Sequence, residues 1–441
     1  VTSSYTDDYG YNLYSANISG PIIPGNAKHT FFLSAERGWF LDSDPSAIDL
    51  EFSSIDKSYT AKPNSSAGVW RFSGRTKHYL GNFQASFGAN INSRDTRSYI
   101  HSYAKNNSDF FPVLTYDNAT FYSRISQTIS KSTFWNLNLG YRNYQFEQSD
   151  PHFGDNLYLY GDSTAYADMF GITLTADGQR PYNDTNEVFY EYGRVNNVYS
   201  KNEQSTFSAD LDFTSQIDNH LVEVGAGGNY YIVRSYYVNP VILAAMDDDL
   251  TEYEKFERLQ PSVYGYDITG REKTDLNSGQ FEPKNPIFMY GYIQDRFELD
   301  DFVLNVGLRV DYFDTQEQVL INPSLPFAGG TDPNGFDDGD FKTKDAELMF
   351  SPRLGFGFPV SESTVFHAQY GRFVQQPSLT DLFIGPYDLV SFLNMSPQYV
   401  IDGTITSEET TQYELGFRQL IGDNVAINVT AFYKNIKGLV N

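Results

Sequence analysis

The chain has 441 residues, a formal net charge of −25 and no cysteine, which excludes disulfide frameworks, thiolate metal sites and cysteine nucleophiles. Aromatic residues make up 16% of the chain, a high share that fits a β-barrel with a lipid-facing side and a wet lumen. The acidic balance argues against a nucleic-acid partner, and apolar runs such as residues 241–246 are far shorter than the ~18–20 residues of a transmembrane helix.

Apolar and polar residues alternate with a period of two along most of the chain. At 83–91, Phe, Ala, Phe, Ala and Ile take the odd positions, and Gln, Ser, Gly and Asn take the even ones. Because successive side chains of a strand point to opposite faces, such a segment has one apolar and one polar face. The pattern predicts about fourteen strands, in chain order 10–20, 28–39, 67–79, 81–94, 118–129, 133–146, 205–217, 221–236, 287–298, 302–313, 348–358, 364–374, 410–420 and 425–436.

The links between these segments are alternately short and long. Seven short links separate the members of each pair, as at 130–132, 218–220, 299–301 and 421–424. The six links between pairs are long and lie near 40–66, 95–117, 147–204, 237–286, 314–347 and 375–409. Outer-membrane barrels have short periplasmic turns and longer extracellular loops, so this alternation is typical of them.

Charge follows the same division. Acidic residues outnumber basic ones in the long links at 147–204, 238–287 and 313–347, whereas the apolar faces carry few charges. A charge facing lipid at mid-bilayer is unfavourable, so this placement favours a membrane barrel. The net negative charge by itself has a simpler explanation, since acidic residues keep exposed loops soluble.

Together these patterns predict an all-β fold, an antiparallel transmembrane β-barrel formed by residues 1–441 as one outer-membrane domain. A strand array in a membrane must close, because every backbone polar group in hydrocarbon has to be paired. We expect the chain to be incomplete, because it starts without a signal peptide and stops a few residues after a strand without a final aromatic residue. A soluble all-β protein is the remaining fold alternative.

Four segments resemble the TonB-dependent receptor family, and especially its Oar-like branch. They are spread in family order from residue 11 to 436, at 11–25 with 30–37, at 290–297 with 304–312, at 351–356 with 370–378, and at 408–417 with 431–436. The resemblance implies a 22-stranded barrel, of which about 14 strands are present. It also implies an N-terminal plug that this sequence does not contain.

The resemblance further implies a function and partners. The protein would bind a scarce or bulky solute through its extracellular loops in the bacterial outer membrane and import it with TonB-derived energy. Its partners would be outer-membrane lipid, the TonB complex through the missing plug and, in some systems, a surface lipoprotein. No catalytic residue is expected. The alternatives are a passive 14-stranded channel, and a surface adhesin or an enzyme whose site lies on the loops.

A carboxylate-rich turn at 332–340 is the candidate metal site. Calcium prefers several oxygen ligands, so we consider a structural Ca²⁺ ion held by Asp332, Asn334, Asp337, Asp338 and Asp340. The spacing departs from the EF-hand pattern, and a solvated turn of Gly, Pro and Asp explains the composition equally well. The acidic residues at 247–254 are a weaker candidate of the same kind. No other cofactor is expected.

Tyrosines in the long links are the candidate ligand-binding residues, since a Tyr side chain offers a large apolar area and a polar tip. The six are Tyr158, Tyr160, Tyr166, Tyr182, Tyr190 and Tyr192. Collapse of the loops onto the barrel mouth would need the same residues, and we favour that interpretation.

Histidines and glycines carry weaker signals. The six histidines lie at 29, 78, 101, 152, 220 and 367, and no two share a metal-ligand spacing, so we interpret them as single residues. The glycine-rich run at 225–228 is in alternating sequence without a following helix. It therefore indicates close packing in a strand rather than a phosphate-binding loop.

Overall fold

Fourteen long strands form one antiparallel meander in the described part of the chain. The structure, a computed structural model, describes residues 10–42, 49–52, 56–59, 61–171, 188–259, 262–275, 281–322, 325, 329–331, 338–383, 405–422 and 424–439. We number the long strands in chain order as β1 (Asn12–Ile23), β2 (Asn26–Phe40), β3 (Ala67–Leu80), β4 (Phe83–Arg97), β5 (Val113–Thr128), β6 (Thr133–Ser149), β7 (Tyr199–Ile217), β8 (His220–Val238), β9 (Ile287–Leu299), β10 (Phe302–Asp314), β11 (Glu347–Ser361), β12 (Thr364–Gln375), β13 (Glu408–Ile421) and β14 (Val425–Lys437).

Each long strand pairs with its neighbours in the sequence, so the order in the sheet is the order in the chain. Among the residues that the structure describes, the ladders are continuous, and the register shifts only near the short turns, between Pro21 and Ile23 and between Pro359 and Ser361. Among the described residues, β1 pairs only with β2 and β14 only with β13, so both edges of the sheet are open.

The predicted strands and the alternation of link lengths are confirmed. Turns such as 24–25, 81–82 and 218–219 lie at one end of the sheet, and the long links lie at the other. Left-handed residues make two of these tight turns possible: Gly25 has φ of 79° and Gly81 has φ of 68°. Some boundaries differ from the prediction, since β5 begins at Val113 rather than 118 and β7 at Tyr199 rather than 205.

The long links contain short elements of their own. Three small ladders are formed by Leu50–Phe52 with Lys57–Tyr59, by Gln318–Leu320 with Phe341–Thr343, and by Ser262–Tyr264 against the end of β8. The helices are α1 (Ser163–Phe170), α2 (Pro240–Ala244), α3 (Glu252–Leu259) and α4 (Leu379–Leu382), with 3₁₀ turns at His101–Tyr103, Ser108–Phe110, Leu157–Gly161 and Asp338–Asp340. None of the helices in the described residues is long and apolar enough to cross a membrane.

One face of the sheet is apolar from edge to edge. The register places alternate residues of neighbouring strands side by side, so that Ile293 on β9 faces Leu308 on β10, and Val310 faces Phe350 on β11. These large side chains remain exposed, for example Ile293 by 55% and Phe350 by 50%. A broad exposed apolar surface on a strand array is what a lipid-facing wall requires.

We expect an arginine to be tolerated on the polar face and not on the apolar face. Leu308→Arg places a charge at the middle of the apolar face and should destabilise the folded protein by about 2–4 kcal/mol in a bilayer. The matched control is Asn305→Arg on the same strand, whose side chain lies on the polar face. Urea unfolding of the protein in lipid vesicles measures the difference, and a larger loss for Asn305→Arg would show that the two faces have been assigned the wrong way round.

Candidate functional site

The polar face of the wall carries charged and hydroxyl side chains that bond across strands. On β9, the hydroxyl of Tyr290 donates to Oδ1 of Asp210 at 2.7 Å, and that of Tyr292 donates to Oδ1 of Asp212 at 2.8 Å. Both aspartates are on β7, so each bond crosses the whole width of β8. Arg309 on β10 lies over the ring of Tyr290, 4.0 Å from its centroid. These contacts stiffen the lumen side of the wall.

Glycines on β8 make these cross-strand bonds possible. A Cβ on Gly225 would lie 2.3 Å from the ring of Tyr292, and a Cβ on Gly227 would lie 2.4 Å from Oδ1 of Asp210. The tyrosines therefore occupy the space that side chains on β8 would need. The prediction that the run at 225–228 indicates close packing agrees with this geometry.

The polar face also contains an open cavity of about 540 Å³ between β8 and β13. Its polar lining carries both signs of charge and several amides, from Glu223, Gln294, Arg296, Asn305, Arg353, His367, Gln369 and Gln412. Such a surface can pair with polar groups of a solute or of a protein segment that enters the lumen.

The described parts of the long links pack into a cap at their end of the sheet. Three apolar clusters hold it together, and aromatic residues form most of the first one: Phe52, Tyr103, Phe110, Phe111, Phe153, Tyr160 and Tyr166, with Ala104 and Val195. The second cluster joins the links after β6 and β8 through residues such as Leu157, Tyr236 and Tyr266. The third joins the base of the cap to the wall through Phe313 and Met349. The cap is therefore fixed by its own hydrophobic cores.

The predicted tyrosines divide into buried and exposed residues. Tyr160 and Tyr166 are fully buried in the first cluster. The Tyr160 hydroxyl donates to the carbonyl of Gly154 at 2.9 Å, and burial raises its pKa above the usual phenol range, so it remains a donor. These two tyrosines hold the cap together, as the interpretation of loop collapse expects.

Three of the other predicted tyrosines are described, and all three are more accessible to solvent than Tyr160 and Tyr166. Tyr190 is partly buried, and the guanidinium of Arg194 lies 4.2 Å from its ring centroid. Tyr158 is 44% exposed and Tyr192 is 51% exposed. Tyr182 lies outside the described residues.

A cleft of about 360 Å³ opens between the links that follow β6 and β8. Tyr158 and Asp155 line one side, Arg271 lines the other, and Lys201, near the start of β7, also lines the cleft. The ammonium of Lys201 lies 4.5 Å from the ring centroid of Tyr266, which holds it in place. With two cations and one carboxylate, the lining has a net positive charge beside an aromatic ring and suits a solute with an acidic group.

The walls of this cleft are fixed by their own hydrogen bonds. The Asp267 carboxylate accepts from the backbone nitrogens of Thr269 and Arg271, each at 2.9 Å, and so closes the turn that carries Arg271. Leu157, next to Tyr158, is buried in the second cluster. The cleft is thus formed before a solute arrives, which lowers the entropic cost of binding.

Two buried ion pairs lie where the cap meets the wall. Lys284 Nζ is 2.7 Å from Glu317, and Arg234 is 3.1 Å from Glu203 on β7. Burial raises the pKa of Glu317, and the neighbouring Lys284 opposes that shift. Each charge is compensated mainly by its partner, so loss of one partner leaves a costly unpaired charge.

The calcium prediction falls mostly outside the described residues. Asp332, Asn334 and Asp337 are not described, and nothing is described of the Asp338 side chain. The Asp340 carboxylate is buried and accepts from the backbone nitrogens of Gly329 and Gly330 at 3.0 and 2.8 Å. No cluster of three or more His, Asp or Glu side chains suited to a metal ion occurs among the described residues, which include the acids at 247–249. The calcium site stays a prediction.

Sequence reasoning missed the cations of the cleft and one histidine contact. Lys201 on β7 and Arg271 in the link after β8 are 70 residues apart in the sequence, and only the folded arrangement brings them together. His29 and His78, interpreted as single residues, face each other across β2 and β3. The cross-strand register could have revealed this histidine pair, but a spacing rule along the chain could not.

Comparison with known proteins gives the same architecture. The family model described as "TonB dependent receptor-like, beta-barrel" matches residues 1–441, and none of the curated proteins matches the chain in sequence. Similar solved structures include the copper transporter OprC (11% identity, TM-score 0.52, 97% of this chain and 53% of that one). A second is the FrpB iron transporter from Neisseria meningitidis (13% identity, TM-score 0.53, 97% of this chain and 52% of that one). A third is the alcaligin outer membrane receptor FauA from Bordetella pertussis (10% identity, TM-score 0.51, 98% of this chain and 50% of that one). The chain spans about half the length of these structures.

A side chain at Gly225 should disrupt the lumen network. In Gly225→Ala, the new Cβ would displace the Tyr292 ring and break its bond to Asp212, so we expect a destabilisation of about 1–3 kcal/mol. Gly355→Ala is the matched control, because its Cβ would find only ordinary contacts, the nearest at 3.7 Å. Unfolding in vesicles compares the two variants, and equal stability would contradict the proposed role of the glycine.

Removal of Lys284 should destabilise the base of the cap in a pH-dependent way. Lys284→Met leaves Glu317 buried without its cation, with an expected cost of about 3–5 kcal/mol near neutral pH. Because burial raises the pKa of Glu317 in the folded state, stability should be greater at low pH and fall as the pH rises through that value.

Limited proteolysis of the cap at several pH values measures this effect. Lys273→Met is the control, because its partner Glu282 is 3.8 Å away and both side chains are about one-quarter exposed. That substitution should cost at most about 1 kcal/mol. A Lys284→Met protein as resistant as the wild type at every pH would contradict the expectation.

Proposed function

Because the chain belongs to the TonB-dependent receptor family, matching its β-barrel model over residues 1–441, we propose that it captures a scarce or bulky solute at the cell surface for TonB-energised import. Proteins of this family are transporters of the bacterial outer membrane rather than enzymes. The wall agrees with that location, since its apolar face can contact lipid while its polar face lines the lumen.

The preformed cleft in the cap is the observation that carries this proposal. It lies at the end of the sheet that bears the long links, which is the extracellular end of an outer-membrane barrel. Tyr158 supplies an exposed ring, and Lys201 and Arg271 supply positive charge in an otherwise acidic protein. We therefore propose a solute that carries an acidic group.

Energy and further partners are part of the same proposal. Transport against a gradient needs a segment that fills the lumen and a link to TonB, and the mixed charges around the 540 Å³ cavity suit such a segment. A surface lipoprotein is a further proposed partner at the cap. Membership of the Oar-like branch stays a prediction.

A passive channel of fourteen strands has less support. It would need β1 and β14 to pair, and in the described residues each of them has a single neighbour. An open strand edge cannot face hydrocarbon, because its backbone groups would be unpaired.

Uptake by cells that express the full-length protein tests the proposal. Mass spectrometry of a complex growth medium should reveal solutes that are depleted by the wild type and not by a deletion strain. Depletion should stop when a protonophore collapses the inner-membrane gradient. The double variant Tyr158→Ala/Arg271→Ala should reduce uptake at limiting solute by roughly tenfold or more, as expected for loss of central contacts.

Tyr192→Ala is the control for the double variant, because this exposed tyrosine packs beside Phe110 and does not line the cleft. It should transport at the wild-type rate. Uptake that continues with the protonophore would support a passive channel. Uptake unchanged in the double variant would exclude the cleft as the capture site.

A further inference from the structure

Two histidines on neighbouring strands point their rings at each other on the apolar face. His29 on β2 is directly opposite His78 on β3, and their Nδ1 atoms are 3.0 Å apart. The ring centroids are 5.3 Å apart, with an angle of 49° between the planes. Both side chains are partly buried, so the wall holds the two Nδ1 atoms close together.

The separation of the two nitrogen atoms suits a shared metal ion. Imidazole nitrogen binds Zn²⁺ at about 2.0–2.1 Å, so two nitrogens at right angles lie about 2.9 Å apart and two at a tetrahedral angle about 3.3 Å apart. The observed 3.0 Å lies between these values. A metal ion could bind both rings without large movements of the backbone.

A second contact prepares His78 for this role. Its Nε2 lies 3.1 Å from the hydroxyl oxygen of Thr76, two residues earlier on the same strand. When Nε2 donates its proton to that oxygen, Nδ1 of His78 carries no proton and its lone pair is available to a metal ion, while any proton on Nδ1 of His29 would leave as the ion binds. Metal-binding histidines are commonly oriented by such a bond from the second ring nitrogen.

The surroundings place the pair at the edge of the apolar face. His78 lies two residues before the end of β3, close to the turn at 81–82. The ring of Phe87 on β4 lies 6.0 Å from that of His78, and Phe83 packs edge-on against Trp135 nearby. Aromatic residues at this level are typical of the membrane interface, where water can reach a bound ion.

We propose that His29 and His78 form a binding site for one divalent transition-metal ion, which links β2 to β3 at the short-turn rim of the wall. Two imidazoles leave the other coordination positions to water. Imidazole ligands suit Zn²⁺, Ni²⁺ and Cu²⁺, and Cu²⁺ is expected to bind most tightly of the three. The site is separate from the cleft in the cap and does not depend on the proposed function.

Titration of the metal-free full-length protein with Cu²⁺ in detergent micelles tests the site. We expect one Cu²⁺ ion with a paramagnetic resonance spectrum that shows coupling to two imidazole nitrogens. His29→Asn and His78→Asn should each lower the affinity at least about tenfold and remove the two-nitrogen signal. Asn can keep a hydrogen bond to the remaining histidine ring. These variants therefore separate metal binding by two rings from a hydrogen bond between the two side chains.

Two further variants sharpen the test. His101→Asn removes a single histidine in the cap and should leave Cu²⁺ binding unchanged. Thr76→Val removes the bond to Nε2 of His78 without removing a ligand, and should weaken binding by about tenfold. Circular dichroism, and the change in electrophoretic mobility of each variant on heating, show whether the variant is folded.

The Cu²⁺ titration of these variants either supports or overturns the proposed metal site. Loss of the two-nitrogen signal in either Asn variant, with the signal kept in His101→Asn, supports the site. Binding of equal strength in the wild type and both Asn variants, or no two-nitrogen signal in the wild type, overturns it. In that case the contact between the rings is only a hydrogen bond.

Discussion

The need to pair every backbone N–H and C=O group in a solvent-free layer is the constraint on which this structure depends. It explains why consecutive strands pair without interruption and why the register shifts only near Pro21 and Pro359, close to the short turns. Proline has no N–H to donate to a ladder, and Pro21 and Pro359 both lie close to the end of one. Once pairing is continuous, the period of two fixes one face for lipid and the other for the lumen.

The strands were predictable because their signal is local. Alternation can be read within ten residues, and all fourteen predicted segments became strands. The predicted strand boundaries were wrong where strands extend beyond the apolar belt, as at the start of β7. There the contacts of Tyr199 with Tyr236, and its hydroxyl bond to Glu147, continue the strand without any need for alternation. Such contacts join distant segments and cannot be seen in the local alternation of apolar and polar residues.

The candidate sites were less predictable, because they depend on register and on the packing of distant links. Tyr158 and Tyr160 are two residues apart and look equivalent in the sequence, yet one is exposed in a cleft and the other is buried at a cluster centre. The glycines at 225 and 227 indicated close packing, but the side chains that approach them belong to neighbouring strands, Asp212 and Tyr292 at Gly225 and Asp210 and Tyr290 at Gly227. Sequence reasoning identified the useful residue types, and only the folded arrangement assigned their roles.

The described part of the cap has apolar clusters of its own, as a small protein domain does. Its aromatic clusters fix the turn that carries Arg271 and the segment that carries Tyr158, so the cleft between them is determined before binding. A preformed cleft loses little entropy on binding and discriminates between solutes by shape and charge. The same rigidity holds the cleft in one shape. Under the proposed function, movement of a solute from the cleft to the lumen would therefore need a change elsewhere, and the mixed-charge wall around the 540 Å³ cavity is the part of the lumen suited to it.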